Sequence, residues 1–165
     1  MLHNSEFRTM KNDEKFLREA IRLSEENVEK GGGPFGAVIT KDDKIISGAG
    51  NKVLSTNDPT AHAEINVIRE ASEKLNTFDL SGCTIYCSCE PCPMCFSAIY
   101  WARMERIVYA NKRVDAKEAG FDDLLIYEEL IKPNSERLIQ AYQMLHEEGG
   151  KAFRMWTDKE DKIIY

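Results

Sequence analysis

Three features of the chain predict an α/β fold, a three-layer α/β/α arrangement with helices on both faces of one sheet. Apolar residues recur at helical and then strand spacing in the order helix, strand, strand, helix, strand, helix, strand, helix. Glycine and proline clusters mark the joins between these segments. The length, 165 residues, suits one domain that buries roughly 68–70% of the surface its unfolded form would expose. The two consecutive strands make an antiparallel edge, and the strand–helix–strand steps make the rest of the sheet parallel.

The first helix is expected from Asn12. Asn12 or Asp13 serves as its cap, and Phe16, Leu17, Ala20, Ile21, Leu23 and Val28 form its apolar face. Gly31-Gly32-Gly33-Pro34 stops it. Phe35 to Thr40 reads as a strand, Lys41-Asp42-Asp43-Lys44 as a turn and Ile45 to Asn51 as the returning strand. A polar loop, Val53 to Pro59, leads to a helix capped by Asp58 or Thr60, with Ala63, Ile65, Val67, Ile68 and Ala71 inward. Ser81-Gly82 precedes a strand over Cys83 to Ser88, and Pro91 opens a helix through Phe96, Ile99 and Trp101. Arg106 to Asn111 is the next strand. Val114 to Glu129 is helical but interrupted at Gly120-Phe121-Asp122-Asp123. After Pro133, Ser135 to His146 fits strand or helix equally, and Glu147 to Lys162 reads as a charged helix carrying Phe153 and Trp156. Residues 1–9 show no periodic apolar face and read as a disordered extension or an added leader, with Met10 the native start. Residues 10–165 contain no repeat, low-complexity tract or second domain.

Composition narrows the partners. Twenty-two basic against 28 acidic residues give a net charge of −6, the wrong sign for a protein built to hold a polyphosphate backbone, so no nucleic acid is expected. No apolar run approaches the roughly 20 residues of a membrane span, and no signal-peptide pattern opens the chain. All 5 cysteines fall between Cys83 and Cys95. That cluster suits metal binding in a reducing, cytoplasmic setting and is too tight for a disulfide framework.

The chemistry lies in two short stretches, Thr60-Ala61-His62-Ala63-Glu64 and Cys89-Glu90-Pro91-Cys92-Pro93-Met94-Cys95. His62, Cys92 and Cys95 supply three ligands of types that zinc favours. Three protein ligands leave a position for water, whereas a structural zinc closes its shell with four. Glu64, not a ligand, is placed to move that water's proton, so it is the candidate catalytic residue. The expected cofactor is one zinc per chain. Both stretches open helices, whose positive ends favour thiolate over thiol. Each element has a simpler reading alone: a capping histidine, or a Cys-x-x-Cys redox pair or half a structural zinc site. Cys87 or Cys89 completing a four-ligand shell would make a zinc-stabilised module without turnover; Cys83 and Cys87 read as core.

H-x-E followed by P-C-x-x-C is the known signature of zinc-dependent base deaminases. The chain resembles the cytidine and deoxycytidylate deaminase superfamily. Within it, the chain is similar to the bacterial guanine deaminases over nearly its whole length from Met10. Ser88 to Cys95, Ala98-Ile99-Tyr100-Trp101-Ala102-Arg103, Asp115-Ala116, Glu118 to Asp123 and a final tyrosine carry this likeness. Asn57 to Glu64 is shared with tRNA adenosine deaminases and does not discriminate; Lys112-Arg113 and Arg137 to Lys151 depart from the pattern. The resemblance implies a cytidine deaminase-like fold with a mixed five-stranded sheet. It implies hydrolysis of guanine to xanthine and ammonia, in purine catabolism or salvage, and a homodimer with the C-terminal segment swapped between subunits. Carried over by position, Asn51 and Asp123 would hydrogen-bond the purine, and Phe35 and Trp101 would line or stack on it. The backbone of Ala63 would meet its amidine edge, and Tyr165 would close the pocket. Asn51 also fits a turn, Asp123 a helix cap, and Phe35 and Trp101 packing positions. Guanosine, cytosine and an adenosine in tRNA are the alternative substrates.

Overall fold

The computed structural model describes residues 3–164, with side chains from Asn12 onward. Two compact units divide the chain, Met1–Leu124 and Leu125–Tyr165. The first contains α1 (His3–Glu29), β1 (Gly36–Lys41), β2 (Lys44–Gly50), α2 (Val53–Thr56), α3 (Ala63–Leu75), β3 (Cys83–Cys89), α4 (Pro93–Trp101), β4 (Arg106–Asn111) and α5 (Arg113–Glu118). Helix α6 (Asp123–Leu130) crosses the boundary, and a 3-10 turn (Asn134–Glu136) and α7 (His146–Asp158) follow.

The sheet order is β2-β1-β3-β4. β1 pairs antiparallel with both β2 and β3, and the parallel pairing is between β3 and β4. The parallel step expected between the last two strands is found in β3–β4, and the one expected between β2 and β3 is corrected: the crossover from β2 through α3 passes over β1, and β3 docks antiparallel on its far side. Burial explains the choice. β1 is buried along nearly its whole length and suits an interior position, whereas β2 exposes Lys44, Ile45 and Gly48 and suits an edge.

Among the described residues the sheet has four strands, not the five expected. The ambiguous Ser135–His146 stretch holds part of the 3-10 turn and irregular backbone. There the Arg137 guanidinium donates to the carbonyls of Glu129, Leu130 and Lys132, and the Leu138 amide donates to the Glu129 carboxylate at 2.6 Å. These contacts satisfy the end of α6 and turn the chain back on it, which removes the extended run a strand needs.

Alternation along the strands sorts the core into two layers. Val38 and Tyr86 meet Phe16 and Ala20 of α1 on one face. Ala37, Ile39, Ile85 and Cys87 meet Ala63, Val67 and Ala71 of α3 and Ile99 of α4 on the other. Helix α1 lies so close to β1 that a Cβ on Gly36 would stand 2.3 Å from the Ala20 carbonyl oxygen and 2.6 Å from the Ser24 nitrogen. Glycine is required there by space. Asp42 and Asp43, both left-handed at φ 51° and 58°, make the two-residue turn between β1 and β2.

Three local expectations change. Helix α1 begins at His3, so Asn12 and Asp13 lie inside it; Asp13 caps nothing and instead accepts from the Tyr86 hydroxyl and from Arg106, both at 2.7 Å. The Val53 to Pro59 loop contains the single turn of α2, closed by Asn57 in the left-handed conformation. The residue capping α3 is His62, in extended backbone, rather than Asp58 or Thr60. Among the described residues no helix is long and apolar enough to cross a membrane.

Candidate active site

Asp58 prepares the first half of the site. Its side chain accepts from the Thr60 amide and hydroxyl at 2.8 and 2.7 Å, a tight local turn that delivers His62 to the start of α3. Asn66, one turn into α3, donates to the carbonyls of Gly50 and Ala61 and so ties the end of β2 to this loop. The second half is built by β3 and α4. Cys92 caps α4 in extended backbone, Pro93 follows where a missing amide costs nothing, and Cys95 completes the first turn.

The two helix openings converge. His62 Nδ1 lies 3.5 Å from Cys92 Sγ and 3.6 Å from Cys95 Sγ, and one ligand atom from each of the three residues falls within 4.8 Å of the others. Cys95 also donates to Glu64 Oε2 at 3.5 Å. All five cysteines are free and buried. Cys83 and Cys87 belong to the core between the sheet and α3, and the Cys89 thiol donates to the Lys112 carbonyl at 3.5 Å. Among the described residues the donor cluster is therefore His62, Cys92 and Cys95, with neither Cys87 nor Cys89 completing a fourth position.

This donor set fits a zinc ion. The hydrogen bond from Cys95 holds the Cys92 thiol down at about 4, against the opposing effect of burial and with the help of His62. The same Cys92 sulfur, with burial and Glu64, pushes the Cys95 thiol up. One thiolate forms readily and the second needs a cation between the two sulfurs, which a divalent metal with neutral imidazole provides. Glu64 is buried at 7% exposure. Removal from water raises its carboxyl to about 7, so it can hold or release a proton near neutrality.

A cavity of about 620 Å³ opens over the cluster. Val28, Pro34, Phe35, Val53, Leu54, Pro59 and Phe121 give it apolar walls, and Asn51, His62, Glu64, Glu90, Cys92 and Asp123 supply its polar points. An apolar slot with a few convergent polar groups is the form of a small-molecule site. The oxygen of the Asn51 side chain accepts from the Val53 amide at 3.0 Å, so Asn51 both braces the turn after β2 and lines the cavity. Asp123 is the first residue of α6, half-buried, with its carboxyl raised first by burial and then by Cys92. Phe35 meets the ring of Phe121 edge to face, centroids 4.8 Å apart.

Of the ten site residues read from sequence, seven come together here: His62, Glu64, Cys92 and Cys95 with Asn51, Phe35 and Asp123. Ala63 opens α3 with its side chain in the core and is not among the residues lining this cavity. Trp101 ends α4, 68% exposed, and is not among the residues lining this cavity. Tyr165 lies outside the described residues. Sequence reasoning missed Phe121 and Glu90 as cavity residues. Phe121 beside a glycine in a helix break, and a glutamate two residues before a ligand, were the available signals.

Fold and donor set together define a metallohydrolase of the base-deaminase class, in which a three-ligand metal and a neighbouring glutamate act on an amino-bearing ring. Residues 10–111 match the family described as the cytidine and deoxycytidylate deaminase zinc-binding region. The chain belongs to that family. It is 50% identical to guanine deaminase of Bacillus subtilis (strain 168) over 155 residues, 93% of this chain and 99% of that one. The X-ray structure of guanine deaminase from Bacillus subtilis superposes with a TM-score of 0.89 at 50% identity, covering 92% of this chain and 98% of the other. A tRNA-specific adenosine deaminase of Aquifex aeolicus (strain VF5) is 44% identical over 107 residues, 65% of this chain and 70% of that protein.

Proposed function

We propose that this chain hydrolyses guanine to xanthine and ammonia. The observation that carries the reading is the placement of Glu64, a buried carboxyl beside a three-donor metal cluster, lining a largely apolar cavity of about 620 Å³. Zinc held by His62, Cys92 and Cys95 supplies the Lewis acidity that lets water ionise near neutral pH. Glu64 takes the proton that water loses and passes it to a ring nitrogen beside the amino-bearing carbon. A second transfer through the same carboxyl goes to the departing amine, which leaves as ammonia while the ring keeps the oxygen. Asn51, whose oxygen is engaged by Val53, turns its nitrogen end to donate to the purine carbonyl, and Asp123 accepts from a ring N–H. Phe35 and Phe121, packed edge to face, form one apolar wall against the ring, and the Ala63 amide meets the amidine edge.

The relative matched over nearly its entire length is a guanine deaminase, whereas the tRNA deaminase match stops at 65% of this chain. The net charge of −6 also opposes a polyanionic substrate. We assign the protein to the cytoplasm, which the set of free, buried cysteines supports. We further assign a homodimer that exchanges C-terminal segments. In the second unit no described residue is buried, and Ile131, Leu138, Ile139, Tyr142 and Phe153 stand 72% to 87% exposed, a composition that calls for a protein partner. In such a dimer Tyr165 would close the pocket, and the role carried over for Trp101 would require a second subunit.

The test is turnover by zinc-loaded protein, followed by ammonia release and the ultraviolet change to xanthine, with guanosine, cytosine and adenine in parallel. Guanine should be consumed fastest. Preference for any of the other three, or no turnover of guanine, overturns the assignment.

A further inference from the structure

Two glutamates reach the cavity, and they stand in opposite situations. Glu64 lies deep against the metal-ligand sulfur, while both oxygens of Glu90 are engaged by one residue. Arg113 donates from Nη2 to Oε1 at 2.6 Å, from Nε to Oε2 at 3.2 Å and from its own backbone amide to Oε2 at 3.1 Å. We infer that Glu90 is a positioning residue: through Arg113 it fastens the 119–123 wall of the pocket to the metal-binding turn, and so sets how tightly the purine is held. This inference rests on the guanine deaminase reading above.

Three observations carry it. Glu90 sits in the turn between Cys89 and Cys92, where its amide donates to the Asn111 carbonyl at 2.8 Å and the Cys89 thiol reaches the Lys112 carbonyl. The metal-binding turn and the chain entering α5 are thus bound to each other at several points. Second, α5 has little apolar packing to hold it, since Ala116 is its single buried residue. A helix without an apolar face takes its position from its polar ties, and a forked guanidinium–carboxylate contact fixes direction as well as distance. Third, α5 leads straight into the recognition wall. Gly120, at φ 93°, turns the chain, the Phe121 amide returns to the Ala116 carbonyl at 3.0 Å, and Phe121 and Asp123 arrive on the cavity. A shift of α5 therefore moves the ring that meets Phe35 and the carboxyl that meets the base, while His62, Glu64, Cys92 and Cys95 stay where α3 and α4 put them.

The experiment compares Glu90→Gln, Arg113→Met, Arg113→Lys and the double variant Glu90→Gln/Arg113→Met in zinc-loaded protein. Each of the first two should raise KM for guanine about tenfold with kcat within about twofold and zinc content unchanged, and the double should be no worse than either single. Arg113→Lys, which keeps the charge but loses the fork, should fall between wild type and Arg113→Met. Amide hydrogen exchange over residues 116–123 should quicken about tenfold in Glu90→Gln, whichever base the enzyme prefers. If Glu90→Gln does not fold, the two Arg113 variants make the same measurement without touching the metal-binding turn. An unchanged KM, additive single effects or a fall in kcat at constant KM would each overturn the inference. Absence of guanine turnover in wild type would instead sink the substrate reading, and hydrogen exchange would still decide whether the tie exists.

Discussion

The residues proposed to carry the chemistry lie in stretches where local sequence alone fixes geometry. His62 and Glu64 flank one helix opening and Cys92 and Cys95 another, so their spacing already says which way they face. Their convergence was legible for that reason. Phe121, Glu90 and the outward position of Trp101 were not, because each depends on where α4 and α5 come to rest. Asn51 shows how two readings can coexist, since it braces a turn through its oxygen and lines the cavity as well. Asp123, read as either ligand contact or helix cap, opens α6 and faces the cavity with a carboxyl raised by burial. Asp123→Ala should therefore raise KM for guanine or lower kcat, while the melting temperature stays within about 2 °C of wild type. Normal kinetics with a large loss of stability would return Asp123 to the role of a cap.

At the scale of elements, helix and strand existence followed from periodicity, and pairing did not. The pattern of β3 is equally compatible with a place beside β1 or outside β2; the deciding factor is that β1, buried from Gly36 to Thr40, must be covered on both edges. The fifth strand failed for a different reason, the capture of the α6 carbonyls by Arg137, which no local pattern announces. The spacing of α1 over the sheet is set by Gly36, where a side chain has no room beside the Ala20 carbonyl. Gly36→Val should destabilise the protein by about 1–3 kcal/mol, the usual cost of overpacking, and denaturant unfolding would read it. Stability equal to wild type would mean that α1 yields without cost and that its close approach to β1 does not define the packing.

The molecule as a whole joins a unit with a finished core to a unit that has none. Residues up to Leu124 supply the sheet, both buried layers and the cavity, while the described residues beyond it bury no side chain. Composition hinted at neither division, since apolar residues are spread through both units and their burial is a tertiary fact. The catalytic account needs only the first unit for its metal ligands and its proton carrier, and the assignment of a swapped dimer gives the second a place. At the centre of the proposal stands Glu64, a buried carboxyl beside the His62, Cys92 and Cys95 cluster, assigned to move a proton without holding the metal itself. The most direct measurement pairs zinc content with ammonia release from guanine in wild type and Glu64→Gln. The account predicts roughly one zinc per chain in both, with turnover in the variant lower by about 10²-fold or more. Glu64→Gln that keeps its zinc and deaminates guanine at the wild-type rate would contradict it.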